Sequence, residues 1–266
     1  METTRMKGID VSRHNGDIDW TKIKKTIDFA IIRAGYGAGN LDKKFIRNAV
    51  ECERNAIPYG FYWFSYAYTP AMAKREADYC CDAIRSLNPT FPICFDFEYG
   101  SLDYAQQNGY NLKNDEIVNI AKAFLDRVEE RGYYAMIYSN PDFLENKGLK
   151  VLVPRYDLWI AKWSQTEPAY DYGIWQYGTT KIDEAVFDAN ISVKNYPEII
   201  SRMNNFPMED KWKVMNGMPK EWWSKYLMIA KRALLGIYND LQLDEICLTE
   251  NLDRVLLNKV MEIIYA

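Results

Sequence analysis

The sequence predicts an α/β fold: an irregular TIM-like barrel with several late helices missing, followed by a small C-terminal helical module. Three observations carry this expectation. Short apolar strands alternate with amphipathic stretches, which implies a parallel sheet. Eight such strands fit into about 195 residues, the number that closes a (β/α) barrel. The last three strands are separated by spacers of only about ten residues, rich in Pro, Gly, Thr and Asp and without a helical period, too short for full crossover helices.

In chain order, "KGIDVS" (7–12) reads as the first strand, and "DWTKIKKT" (19–26) as a short helix that Asp19 would cap. "FAIIRAGYG" (29–37) is the second strand. In "DKKFIRNAVECERNA" (42–56), Phe45, Ala49 and Cys52 recur at helical spacing. "PYGFYWFSYA" (58–67) is the third strand. Pro70 opens a helix that places Ala73, Ala77, Cys80, Cys81 and Ile84 on one face. "FPICFDFE" (91–98) is the fourth strand. "NDEIVNIAKAFLDRVEERG" (114–132) is a helix with Asn114 as the expected N-cap and Gly132 just past its end. "YYAMIYSN" (133–140) is the fifth strand, and "LWIAKW" (158–163), "GIWQYG" (173–178) and "VFDANIS" (186–192) are the last three.

Composition then shifts. Residues 1–198 form the expected barrel, 199–215 a linker or transition, and 216–266 a helical module carrying the amphipathic patterns "PKEWWSKYLMIAKRALLGIYNDL" and "ENLDRVLLNKVMEIIYA". Its Trp212, Trp222 and Trp223 suit packing against one another or against the barrel better than contact with polymer.

Whole-chain properties exclude several function classes. The net charge of −4 over 266 residues offers no basic footprint for nucleic acid. No segment approaches the ~18 uninterrupted apolar residues of a membrane span. The N-terminus "METTRMKGIDVS" has no apolar core of a secretory signal. The five cysteines, Cys52, Cys80, Cys81, Cys94 and Cys247, are odd in number and contain no CxxC, so neither a disulfide framework nor a zinc site is expected, and the pattern fits a reducing cytoplasm. His14 is the only histidine, which removes most Ser/His and Cys/His triads and any His-rich metal site. "AGYGAGN" (34–40) lacks the spacing of a phosphate-binding loop. No cofactor is expected.

What remains is carboxylate chemistry. In a barrel of this type the site lies at the C-terminal ends of the strands. Asp10 falls near the end of the first strand, Asp96 and Glu98 end the fourth, and Asp188 lies in the last. Side chains at i and i+2 share a face, about 7 Å apart along the strand, so Asp96 and Glu98 point one way while Phe95 and Phe97 point the other. Strand-end acids often only cap helices or pair with arginine, and Arg33 is at hand; an all-carboxylate metal site is the other alternative. An Asp-x-Glu pair flanked by phenylalanines fits those readings less well. Burial and mutual repulsion both raise a carboxyl pKa, and glycosidic cleavage needs an acid that stays protonated near neutral pH.

"KGIDVSRHNG", "FDFE", "YSN", "LWIAKW", "IWQYG" and "FDANIS", in that order over residues 6–196, resemble glycoside hydrolase family 25, the lysozymes that include many phage endolysins; "IPYGFYWFSYA" resembles the family's third-strand segment. The C-terminal region lies outside the resemblance. The resemblance implies a (β/α)5β3 barrel and an N-acetylmuramidase that cleaves the β-1,4 bond between N-acetylmuramic acid and N-acetylglucosamine in peptidoglycan. It also implies Glu98 as general acid/base, Asp96 as the acid beside it, Asp10 and Asp188 as flanking aspartates, and Tyr62 and Tyr138 as cleft-lining aromatics; Arg33 joins them as a substrate-binding candidate. The side-by-side pair suits substrate-assisted retention, in which the sugar's own acetamido oxygen attacks the anomeric carbon. An inverting route through Asp10 or Asp188 stays open. The longer chitinase pattern DxxDxDxE is absent, with Phe91 and Cys94 at the upstream positions. A non-catalytic wall-binding barrel and a bacterial autolysin are the alternatives. A wall-degrading chain without a signal would be made in the bacterial host cytoplasm and released at lysis, as a phage or prophage endolysin. The helical module is expected to bind the wall, to form a homo-oligomer, or to cover the barrel.

Overall fold

Strand-to-strand hydrogen bonding runs through a full circle in a computed structural model of the chain, which describes residues 5–205 and 220–265. The strands are β1 (Met6–Val11), β2 (Phe29–Tyr36), β3 (Asn40–Leu41), β4 (Tyr59–Phe64), β5 (Ile93–Asp96), β6 (Ala135–Ser139), β7 (Asp157–Ala161), β8 (Ile174–Ile182) and β9 (Ala185–Ser192). Eight of them close the barrel in the order β1-β2-β4-β5-β6-β7-β8-β9, and β3 is a two-residue spur antiparallel to the end of β2.

The sheet is parallel from β1 to β8, as the strand–helix rhythm predicts. The last strand departs from that expectation: β9 is antiparallel to both β8 and β1. The reason is the connection. Only Asp183 and Glu184 separate β8 from β9. Two residues can turn a hairpin but cannot carry the chain back for a parallel strand. Asp183 takes a positive φ of 55° there, a conformation that aspartate tolerates better than most side chains.

The helices of the barrel unit are α1 (Trp20–Ile23), α2 (Phe45–Arg54), α3 (Pro70–Ile84), α4 (Tyr99–Gln107), α5 (Asn114–Glu130) and α6 (Pro141–Glu145). Asp19 caps α1 as expected, accepting from the Lys22 amide at 3.3 Å. Thr69 caps α3 in front of Pro70. The α5 cap is Lys113, not Asn114. Gly132 follows that helix with φ 86°, in the left-handed region where glycine has no Cβ penalty. The short α6 escapes a periodicity search because it is a single capped turn; Asn140 accepts from the Phe143 amide at 3.1 Å. The longer α4 escapes because "YGSLDYAQQ" buries only Ser101 and Ala105.

The two strand faces have different work. Outward residues pack on the helices: Phe95 lies 5.0 Å from the Phe124 ring of α5, and Phe97 lies 6.2 Å from Phe143 of α6. Inside, the barrel floor is aromatic, with Phe29 and Phe91 stacked at 4.4 Å and Tyr196 against Phe91. Gly8 makes room for this plug, since a methyl group there would lie 2.4 Å from the Phe29 ring. All five cysteines are free and buried, four of them in this unit.

The chain divides into two compact units, Met1–Tyr196 and Pro197–Ala266. Helix α7 (Tyr196–Asn204) occupies the first part of the expected linker, so 199–204 are helical; the rest of that linker and Trp212 lie outside the described residues. The second unit contains α8 (Lys220–Leu234), α9 (Asp240–Thr249) and α10 (Arg254–Tyr265) around Trp223, Tyr226, Ile229, Ile246, Leu257 and Val260. Trp223 is buried there, whereas Trp222 is exposed beside Tyr226. Sequence periodicity shows two helical patterns here and misses α9. Leu241 and Leu248 are more than 80% exposed while Leu243 and Ile246 are buried, so the apolar residues of α9 circle the helix instead of forming one stripe.

Candidate active site

A cavity of about 450 Å³ opens at the barrel mouth, and all seven residues expected from sequence line it: Asp10, Arg33, Tyr62, Asp96, Glu98, Tyr138 and Asp188. Strand ends deliver most of them. Asp10 is the penultimate residue of β1, Asp96 the last of β5, and Tyr138 the penultimate residue of β6. Glu98 lies two residues past Asp96, at the N-cap of α4, where its amide donates to the buried Ser101 Oγ at 3.1 Å. Asp188 reaches the mouth because β9 runs backwards, which brings its N-terminal half to the end where the parallel strands finish.

Burial dominates the electrostatics. The Asp10 carboxyl is pushed up to about 7, first by desolvation and then by Asp188, against hydrogen bonds that pull it down. Those bonds come from Asn190 Nδ2 at 2.8 Å and Gln176 Nε2 at 2.9 Å, both to Asp10 Oδ2. Asp96 is held well above the usual carboxylate range by burial, then by Glu98 and Asp10, with Arg33 opposing. Glu98 is raised by burial, against the hydroxyl of Tyr138. Asp188 is raised by burial. Asp96 Oδ1 is buried and accepts no hydrogen bond from the described residues. In a cleft open to ligand, such an orphaned acceptor is suited to a donor that the ligand brings.

Arg33 is placed at the mouth but is anchored elsewhere. Its Nε and Nη2 lie 2.8 and 2.7 Å from Asp42 Oδ2, so the guanidinium acts on Asp96 while tied to a carboxylate of its own. The aromatic wall is formed by Trp159, with Tyr138 4.7 Å and Tyr62 6.2 Å away, both edge-on. Among the described residues, no group of three or more His, Cys, Asp or Glu side chains could hold a metal ion.

Sequence reasoning missed four participants. Gln176 donates to Asp10 and accepts from Tyr138 Oη and Trp163 Nε1, each at 3.2 Å. Asn190 bridges Asp10 and Trp159, accepting from the indole at 2.8 Å. The signal was present as alternation: Asn190 is two residues from Asp188, and Trp159 and Trp163 stand at i and i+4 in "LWIAKW".

The sequence model described as glycosyl hydrolases family 25 matches residues 9–185, about two thirds of the chain. The chain belongs to glycosyl hydrolases family 25. Among similar proteins, lysozyme M1 of Streptomyces globisporus is 25% identical over 194 residues, which cover 67% of this chain and 64% of the relative. The uncharacterized protein YegX of Escherichia coli O6:H1 (strain CFT073) is 28% identical over 178 residues, covering 64% of this chain and 61% of that protein. The match thus spans less than two thirds of either relative. The modular autolysin LytC of Streptococcus pneumoniae, solved in complex with a synthetic peptidoglycan ligand, superposes with a TM-score of 0.61 at 27% identity, covering 70% of this chain and 46% of LytC. The catalytic domain of endolysin ply40, from bacteriophage P40 of Listeria monocytogenes, shares the fold at a TM-score of 0.62 and 19% identity, covering 75% of this chain and 98% of that domain.

Proposed function

We propose that this family 25 chain is a peptidoglycan hydrolase, an N-acetylmuramidase that cleaves the β-1,4 bond between N-acetylmuramic acid and N-acetylglucosamine. One observation carries the reading: Asp96 and Glu98 sit side by side in one cleft, where burial raises both carboxyls while Arg33 pulls Asp96 back towards its ionised form. A general acid must hold its proton until the leaving oxygen needs it, and a raised pKa extends the pH range over which Glu98 does so. Glu98 donates this proton. Asp96, with a free buried acceptor oxygen, receives the N–H of the substrate's 2-acetamido group and stabilises the positive charge that grows as the acetamido oxygen attacks the anomeric carbon. Glu98 then takes a proton from the incoming water. Asp10, fixed by Asn190 and Gln176, and Asp188 line the same cleft and set acceptor oxygens around the sugar as it becomes cationic.

The synthetic peptidoglycan ligand in the structure of the similar autolysin LytC supports peptidoglycan as the partner. We place the chain as a phage or prophage endolysin, made in the host cytoplasm and acting on the wall after release, with the second unit contributing wall affinity or self-association. Among the described residues no helix is long and apolar enough to cross a membrane.

Purified cell walls treated with the wild type and with Glu98→Gln provide the test. Wild type should release reducing ends that mass spectrometry identifies as muramic acid, and the variant should lose at least about a hundredfold in rate. Reducing ends that carry N-acetylglucosamine would change the bond assignment. A variant as fast as wild type would remove Glu98 from the mechanism.

A further inference from the structure

A second cavity lies beside the catalytic cleft, and one side chain belongs to both. Trp163 lines the cleft with Asp10 and Glu98, and it also lines a cavity of about 670 Å³ that includes Trp175, Tyr177, Gly178 and Thr179 of β8. Trp163 is 63% exposed, an unusual condition for so large an apolar surface. It is nonetheless held in place. Its Nε1 donates to Gln176 Oε1 at 3.2 Å. The backbone on either side continues the β7–β8 ladder past Ala161, with Lys162 N donating to Gln176 O at 3.1 Å and Ser164 N to Tyr177 O at 3.2 Å. Trp175 Nε1 adds a bond to Lys162 O at 2.8 Å. An aromatic platform fixed in advance loses little freedom when a ligand lands on it.

The lining chemistry narrows the ligand. Trp163 and the half-buried Tyr177 offer aromatic surface there, with the buried Trp175 ring 5.6 Å from Tyr177 behind it. Ser164, Gln165 and Thr179 add hydroxyl and amide groups, and no lining residue is charged. Aromatic faces stack on the C–H faces of pyranose rings, and neutral hydroxyls and amides match sugar hydroxyls and acetamido groups. Carboxylates of a peptide stem would find no cation in this cavity. Another cavity of the barrel unit is different in kind, with Glu145, Lys150, Lys162 and Asp171 in its wall.

We propose that the uncharged cavity is a saccharide site that binds further sugar units of the glycan strand being cut, the strand passing over Trp163 from the catalytic cleft. The inference rests on the reading of the chain as a glycan hydrolase. Binding energy gathered there acts on the reacting bond at a distance, so it should appear as a preference for long strands over short ones.

The test measures kcat/KM on peptidoglycan glycan tetrasaccharide and on long glycan strands, for wild type, Tyr177→Ala and Gln165→Ala, with thermal melts to verify folding. The readout is the long-to-short ratio. Tyr177→Ala should lower it by about tenfold, the loss of one stacking contact, and Gln165→Ala should lower it less. An unchanged ratio in the folded variants overturns the proposal. Should Tyr177→Ala fail to fold, the exposed Gln165→Ala decides alone. If wild type cuts neither substrate, the hydrolase reading fails separately, and titration with a β-1,4-linked N-acetylglucosamine hexamer decides the site: weaker binding by Gln165→Ala supports it, and equal binding overturns it.

Discussion

Asp10 of β1 and Asp188 of β9 are directly opposed partners in an antiparallel ladder. Like charges opposite one another on neighbouring strands are destabilising. Here Asp10 is also buried and Asp188 half-buried, and burial first and Asp188 second push the Asp10 carboxyl up to about 7. The pair exists because β9 reverses direction after a two-residue turn. A parallel final strand would not have offered Asp188 to Asp10 in this register.

Burial of Asp10, with Asp188 opposite it, predicts a stability cost with a definite pH window. In the unfolded chain Asp10 loses its proton near 3.8; in the folded chain it keeps it to about 7. Between those values the folded state binds more protons than the unfolded state, so stability falls as pH rises across the window. Asp10→Asn removes that contribution and keeps an oxygen to accept from Gln176 and Asn190. Its melting temperature should match wild type below pH 4 and exceed it by about 3 °C or more above pH 7, while activity falls. A difference that shrinks as pH rises would contradict the assignment.

The Asp96–Glu98 pair predicts the shape of the pH–rate profile. On the proposed mechanism Glu98 must be protonated and Asp96 ionised. Both are raised, so the bell in kcat/KM should lie above the usual carboxylate range, with limbs that belong to the pair. Arg33 is the group that pulls Asp96 down. Arg33→Gln should therefore move the acid limb to higher pH, because Asp96 then keeps its proton longer. Profiles on a soluble glycan fragment, for variants shown to be folded, would reveal a limb that stays or moves down if Arg33 does not act on Asp96.

Much of the site was legible in the sequence because strand alternation is a strong constraint. Asp96 and Glu98 had to share a face, and Phe95 and Phe97 had to pack elsewhere; Phe124 and Phe143 receive them. The reversal of β9 was not legible from strand–helix rhythm, since it depends on a turn of two residues and not on any apolar pattern. Helix α4 was hidden for a related reason. It carries exposed tyrosines, Tyr99 and Tyr104, and buries only two small side chains. The polar support for Asp10 was hidden too, because Gln176 and Asn190 look like ordinary strand residues until the ring closes and brings them within 3 Å of one carboxylate oxygen.

Gln176 is the residue on which that support turns. It links Asp10, Tyr138 and Trp163 through one amide, giving to the carboxylate and accepting from both aromatics. Gln176→Ala would remove one acceptor from the Tyr138 phenol and the Trp163 indole and, by taking a donor from Asp10, would raise that carboxyl further. A hydrogen bond lost from the buried Asp10 carboxyl costs about 1–3 kcal/mol, and expressed in the cleft this should lower kcat/KM roughly 10- to 100-fold. Gln176→Glu keeps the acceptor but sets a carboxylate against Asp10, and should be slower still above pH 7. If both variants keep wild-type kcat/KM and differ only in melting temperature, Gln176 serves the fold and not the cleft.

The division of labour between Asp96 and Glu98 predicts a stereochemical result. Attack by the substrate's acetamido oxygen, followed by water on the face it vacates, inverts the anomeric carbon twice, so the first product carries the β anomer. Proton NMR during the first minutes of cleavage should show it before mutarotation. An initial α anomer would assign water activation to Asp10 or Asp188 and make the route inverting. Asp96→Asn separates the roles further. The amide keeps the shape and a carbonyl acceptor but carries no negative charge for the cationic intermediate, so kcat should fall more than KM changes, the mark of an interaction made in the transition state. A loss confined to KM would make Asp96 a binding group, and the free Oδ1 in the cleft would then serve ground-state recognition of the acetamido N–H.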